Sequence, residues 1–315
     1  MRFAVAYSPF DASRRDDAIA KVLSANSAKP LPRTPYDLSP VSDERPFFFD
    51  RVPLLAWIAH RIGLPAPSYG AGKLTAGGQT LLIALLVTAL CTLSLLVLPV
   101  LGLRLRQKGS DSDKKELPGF SASSPWILYF ACLGFGFILV EIVLIQRFNL
   151  YFGNPAYALS VVLFTMLLAS GAGSFVAQRW STYRQLTWVV ATVCVALGGL
   201  ALVVPWAIDS TLGSSNAIRI CVAVVCIAPA AGVMGMPFAT GLRYAGHESH
   251  SLVSWAWAVN GGAGVFGSVV AVLISMTYGF SSTFQAGVLA YLLALGAVAM
   301  LSRRQTPSAG DHGVS

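Results

Sequence analysis

Residues 126–148 read WILYFACLGFGFILVEIVLIQRF, an apolar run broken only by Glu141 and, near its end, by Gln146 and Arg147. A helix rises about 1.5 Å per residue and needs about 20 apolar residues to cross a hydrocarbon core of roughly 30 Å. Working outward from this run, six more stretches of similar length and character follow one another, at residues 80–103, 157–178, 186–208, 218–242, 253–278 and 282–301. The pattern predicts an all-α polytopic membrane protein with about seven transmembrane helices, its partner being the lipid bilayer.

Composition points the same way. Hydrophobic residues make up 55% of the 315 and charged ones 11%, less than half the charged share of a soluble domain. The first 78 residues hold seven of the fourteen acids and ten of the twenty-two bases. The chain therefore reads as a soluble head (1–52), an amphipathic interfacial segment with a linker (53–78), a transmembrane domain (79–302) and a disordered tail (303–315).

The net charge of +8 does not form a nucleic-acid patch, because the bases sit at the ends of the apolar spans. Arg104, Arg106, Lys108, Lys114 and Lys115 follow the first span, Arg179 and Arg184 the third, Arg243 the fifth, and Arg303 and Arg304 the seventh. The alternate loops, 149–156, 209–217 and 279–281, contain one acid and no base. By the positive-inside rule the basic segments are cytoplasmic, which leaves the head outside. Residues 1–10 lack the basic start, apolar run and small-residue cleavage site of a signal peptide, so export of the head has no obvious agent. Either the first span inserts with its N-terminus out, or it is not a full crossing, or sequence that belongs before Met1 is missing.

The five cysteines all fall in predicted spans without a CxxC pair, and read as apolar packing residues. His247, Glu248 and His250 share one short loop and read as solvated rather than metal-binding. No metal and no cofactor is expected.

In the head, residues 11–24 have the spacing of one helix and residues 27–41, with four prolines, read as an extended connector. Then comes SDERPFFFD, 42–50, where Pro46 favours extended geometry at Arg45 and the rings of Phe47, Phe48 and Phe49 fall on both faces and call for burial at an interface. Residues 53–64 follow, with Leu54, Leu55, Ile58 and Ile62 at helical spacing. That segment is too short to span and reads as interfacial.

Several phrases carry a family resemblance. SDERPFFFD, LGFGFILVEIVLIQRF, YALSVVLFTMLLASGAGS, GMPFATGLR and WAWAVNGGAGVFGSVVAV, in that order, resemble bacterial spermidine-synthase-like integral membrane proteins, over about residues 42–280. The resemblance implies a bacterial inner membrane location and a partner, an aminopropyltransferase-type or methyltransferase-type nucleotide-binding domain joined to the hydrophobic helices. It also implies that residues 1–50 are the tail end of such a domain. The glycine-rich turn, the acidic ribose-binding residue and the catalytic acids have no positions here, so no S-adenosyl-type cofactor residue and no catalytic residue carries over, and the chain reads as non-catalytic by itself.

Gly262, Gly264 and Gly267 match a dinucleotide pattern, but they lie inside an apolar span, whereas that fingerprint needs a strand before it and water at its phosphate. Close helix packing accounts for them better, since Ala263, Gly267 and Ala271 recur every fourth residue. Ala169, Gly173 and Ala177 do the same in the third span, and Ala231 with Gly235 in the fifth. Pro229, Gly232, Gly235 and Pro237 predict a kinked or broken fifth helix. A packing kink is the plainer reading; a broken helix that frees backbone for a small solute, as in transporters, is the other.

Glu141 is the only acid within a span, and Asn260 lies in the sixth near Trp255 and Trp257. An intramembrane carboxylate is costly, so Glu141 is either functional or fixes helix packing. It lies about 22 Å from the cytoplasmic side and Asn260 some 12 Å nearer to it, which makes them unsuited to pair. Glu141 is expected to face the bundle interior and to hydrogen-bond a hydroxyl or carbonyl there, with Thr165 and Ser268 at matching depth. Arg147, about 240° around the helix from Glu141, is expected to snorkel to the outer interface.

Overall fold

The computed structural model describes residues 42–47, 52, 54–65, 72–107, 120–180, 183–248 and 250–304. The expected head helix, the proline-rich connector, Phe48, Phe49 and the tail beyond residue 304 lie outside the described residues. The chain divides into two compact units, residues 1–82 and 83–315.

In the first unit, Ser42 and Arg45 form a tight turn with an isolated bridge, the Arg45 amide donating to the Ser42 carbonyl at 2.9 Å. Helix α1, Leu54–Arg61, is shorter than its apolar spacing suggests. Gly63, at φ 75°, ends it, with the Leu64 amide reaching back to the Ala59 carbonyl at 2.9 Å. This is the glycine-terminated cap that satisfies last-turn carbonyls. Its effect corrects the expected apolar face: Ile62 falls in the turn and is 65% exposed, while Val52, Leu54 and Ala56 are the buried residues.

Seven longer helices follow: α2 (Ala76–Gln107), α3 (Phe120–Phe152), α4 (Pro155–Val176), α5 (Tyr183–Thr211), α6 (Asn216–Glu248), α7 (His250–Tyr278) and α8 (Phe280–Arg304). All seven are long and apolar enough to cross a membrane, and the chain is an all-α, multi-pass membrane protein. Their apolar surface agrees. Phe164, Leu167, Phe175, Val195, Leu202 and Trp206 are exposed, which would be an aggregation surface in water and is an ordinary face toward lipid.

Short joints set the up-and-down path. Gly153 (φ 64°) closes α3, and Asn154 caps α4, its Oδ1 accepting from the Ala156 amide at 2.9 Å with Pro155 in the first turn. Between α7 and α8 a single residue, Gly279 (φ 90°), makes the turn. Positive φ at these two places favours glycine over any residue with a Cβ.

α3 is the hub of the second unit, packing against α4, α6, α7 and α8. Tyr129, Phe130, Leu139, Val140, Val143 and Leu144 on it are buried. α6 also packs on α4 and α5, and α5 on α8. No residue of α2 between Ile83 and Ser94 is buried, and its Thr92 hydroxyl donates to the Gly262 carbonyl of α7 at 3.3 Å.

Candidate functional site

The two small-residue stripes read in the third and fifth spans meet each other. At Gly173 of α4 a Cβ would fall on the Gly232 carbonyl of α6, and at Gly235 of α6 a Cβ would fall on the Ser170 carbonyl of α4. Backbones approach this closely only where small residues meet and the one turned toward the neighbouring carbonyl has no Cβ. The Ser174 hydroxyl, in the same joint, donates to the Gly235 carbonyl at 2.8 Å.

A second joint of this kind ties α3 to α7. Asn260 donates from Nδ2 to the Phe130 carbonyl at 3.1 Å, and a Cβ on Gly134 would strike the Asn260 carbonyl. Gly267 faces Ile138 and Phe135, whose side chains a Cβ would meet at 2.7 and 3.0 Å. Gly264 departs from the packing expectation, since the nearest atom to a Cβ there, the Gly134 carbonyl oxygen, is 3.9 Å away and leaves room for alanine. Asn260 is thus a clamp between two helices, with the rings of Phe238 and Trp257 edge to face at 4.8 Å nearby in chain and space.

α6 is helical from Asn216 to Glu248 with Pro229 and Pro237 inside it, so the fifth span is not broken. Beside the second proline, Tyr129, fully buried, donates its hydroxyl to the Pro237 carbonyl at 2.7 Å, and its ring lies where a Cβ on Gly241 would be, so α3 braces α6 at this level.

Glu141 lies two turns along α3 from Gly134, about 10 Å by the helical rise and close to the same rotational position, hence on the face toward α7. It is 8% exposed. The expected hydrogen bond is not found: among the described residues its carboxyl has no hydrogen-bond partner. The Ser268 hydroxyl bonds its own helix at Val265, 2.8 Å, and Thr165 is buried without a described bond to Glu141. Asn260, committed to Phe130, is at another level and is not its partner.

At the opposite end from Arg179 and Arg243, the helices are joined by a cluster around Arg219, a base just inside the fifth apolar stretch with no motif around it in the sequence. Arg219, in the first turn of α6, donates from Nη1 to the Tyr151 carbonyl at 3.1 Å and from Nη2 to the Leu212 carbonyl, while its guanidinium lies 5.3 Å from the Tyr151 ring centroid. Both carbonyls sit at helix C-termini, of α3 and α5, which are unsatisfied and carry partial negative charge. The Tyr151 and Thr211 hydroxyls are 2.5 Å apart in the same cluster. Arg147 reaches across to the Ser281 hydroxyl at 3.0 Å, at the start of α8. At the basic end Arg243 donates to the Trp180 carbonyl at 3.4 Å.

Glu248 ends α6 and His250 begins α7; among the described residues no three potential metal ligands come together. The five cysteines are free thiols. Of the aromatic phrase in the head, Phe47 alone is described, half-buried. Comparison with protein-family models, with curated proteins and with solved structures finds no match to this chain.

Proposed function

We propose that the chain is the membrane module of a bacterial inner-membrane protein of the spermidine-synthase-like kind, non-catalytic by itself, which holds or serves a nucleotide-binding domain. One observation carries the reading. The phrases that resemble that family spend their special residues on helix joints: Gly134 against Asn260, Gly173 against Gly232, Gly235 against Ser170, Gly241 against Tyr129, and Gly267 against Ile138. Residues so used form a rigid scaffold of close helix joints. A small-solute transporter or channel is the other reading and draws on Glu141, Asn260 and a broken fifth helix; α6 is unbroken and Asn260 joins α3 to α7, which leaves that reading Glu141.

The test is isolation of the protein from native membranes in mild detergent, with and without chemical cross-linking. A nucleotide-binding protein of the methyltransferase or aminopropyltransferase type should accompany it, and the purified chain alone should give no heat on titration with S-adenosylmethionine or its decarboxylated form. Micromolar binding by the chain alone would overturn the reading.

A further inference from the structure

We propose that Glu141 is a proton-binding site inside the membrane bundle, on the face of α3 that meets α7. Its depth is the first ground. The span Pro125–Phe152 has its centre between residues 138 and 139, so Glu141 lies only about 4 Å from the middle of the span by the helical rise. Water is scarce at that depth, and an ionised carboxylate there needs a partner.

No such partner is found among the described residues. α3 packs against α4, α6, α7 and α8, and α4, the stretch Leu252–Tyr278 of α7 and the stretch Phe280–Ser302 of α8 contain no charged residue. The cations of α6 stand at its two ends: Arg219 holds the carbonyls of Tyr151 and Leu212, while Arg243 bonds Trp180 and His247 lies a turn further on. Arg147 bonds Ser281 from another face of α3. Glu248, His250, Arg303 and Arg304 stand at the ends of α6, α7 and α8, and among the described residues no hydroxyl or thiol on these helices, Tyr157, Tyr278, Tyr291 and Cys226 included, bonds Glu141.

Of the buried hydroxyls, Thr240 bonds the Met236 carbonyl, and Ser275 and Thr283 bond each other, while Thr165 and Tyr291 are buried without a described bond to Glu141. A carboxyl so isolated is neutral when it carries a proton. A metal ion is a poor alternative, because cations of that kind take about six oxygen ligands and no cluster of three potential ligands is found among the described residues. The α7 surface on this side carries small residues, Gly264, Gly267 and Ala271.

A hydrophobic carbodiimide tests this on the full chain in lipid nanodiscs, read by peptide mass spectrometry. A protonated carboxyl adds its oxygen to the carbodiimide carbon and gives its proton to nitrogen, forming a stable adduct after rearrangement. Glu141 should be modified, and its labelling should fall about tenfold per pH unit on the alkaline side of a single midpoint. Sodium should give no protection, and Glu141→Gln should abolish the adduct. Absence of an adduct at Glu141 at every pH, labelling that ignores pH, or protection by sodium would each overturn the proposal.

Discussion

Replacing Gly173 with alanine tests the helix joint on which the bundle rests. The added Cβ would lie on the Gly232 carbonyl, 2.7 Å from its carbon and 3.2 Å from its Cα, where carbon atoms rest at about 3.5–4.0 Å. α4 and α6 must then separate by roughly 1 Å. The Ser174 hydroxyl is 2.8 Å from the Gly235 carbonyl, and the same separation carries it out of hydrogen-bond range. Overpacking costs about 1–3 kcal/mol and an intramembrane hydrogen bond contributes about 0.6, at most about 1.7 kcal/mol, so the expected loss is about 2–4 kcal/mol. Thermal unfolding in detergent, followed by tryptophan fluorescence, should show a midpoint lower by about 4–16 °C, taking about 2–4 °C per kcal/mol for a domain of this size. Gly171→Ala and Gly198→Ala are matched controls, since a Cβ at either meets nothing within 4 Å. They should melt with the parent or slightly above it. A Gly173→Ala variant that melts with the parent, or falls no further than the controls, would refute the joint.

Arg219→Met should lower stability by about 1.5–3 kcal/mol, the worth of hydrogen bonds from a charged donor, and Arg219→Lys should recover part of it, because an ammonium lacks the planar fork that reaches both the Tyr151 and Leu212 carbonyls; denaturation of the three proteins side by side reads this. Asn260→Ala should cost about 0.6–1.7 kcal/mol through the lost bond to the Phe130 carbonyl, and a stability equal to the parent's would count against the clamp. Tyr129→Phe keeps the ring against Gly241 and removes only the bond to Pro237, so its loss should be in the same range and well below that of Tyr129→Ala. Gly264→Ala, with 3.9 Å of room, should be tolerated where Gly267→Ala is not.

Most of the architecture was legible in the chain because length and hydropathy decide it. The seven spans and the small-residue stripes are local signals, each readable within a few residues. What the stripes pack against was not, since a four-residue repeat states that a face is thin and leaves its neighbour open. Gly173 and Gly235 carried the same signal as Gly264, and only the placement of the opposing backbone separates the residues that must be glycine from the one that need not be. Pro229 and Pro237 each remove a donor, which leaves a kink or a break open in the sequence, and α6 runs through both as one helix, with the Tyr129 and Ser174 hydroxyls of neighbouring helices bonding the Pro237 and Gly235 carbonyls. Arg219 was passed over because a single base just inside a span looks like an interfacial residue, whereas its role depends on two helix ends distant in sequence. Glu141 was legible as an anomaly; that its carboxyl has no described partner depends on what the four helices around α3 bring to its level.

The central claim is a seven-span bundle whose basic segments face the cytoplasm, and topology mapping tests it most directly. Paired reporters, one active only in the cytoplasm and one only outside it, should be fused at successive loop positions of the full chain. Fusions after Lys115, Arg184, Gly246 and Arg304 should report the cytoplasm, and fusions at Asn154, Ser214 and Ser281 the outside. Two consecutive loops reporting the same side, or a reversed pattern across several of them, would contradict the account.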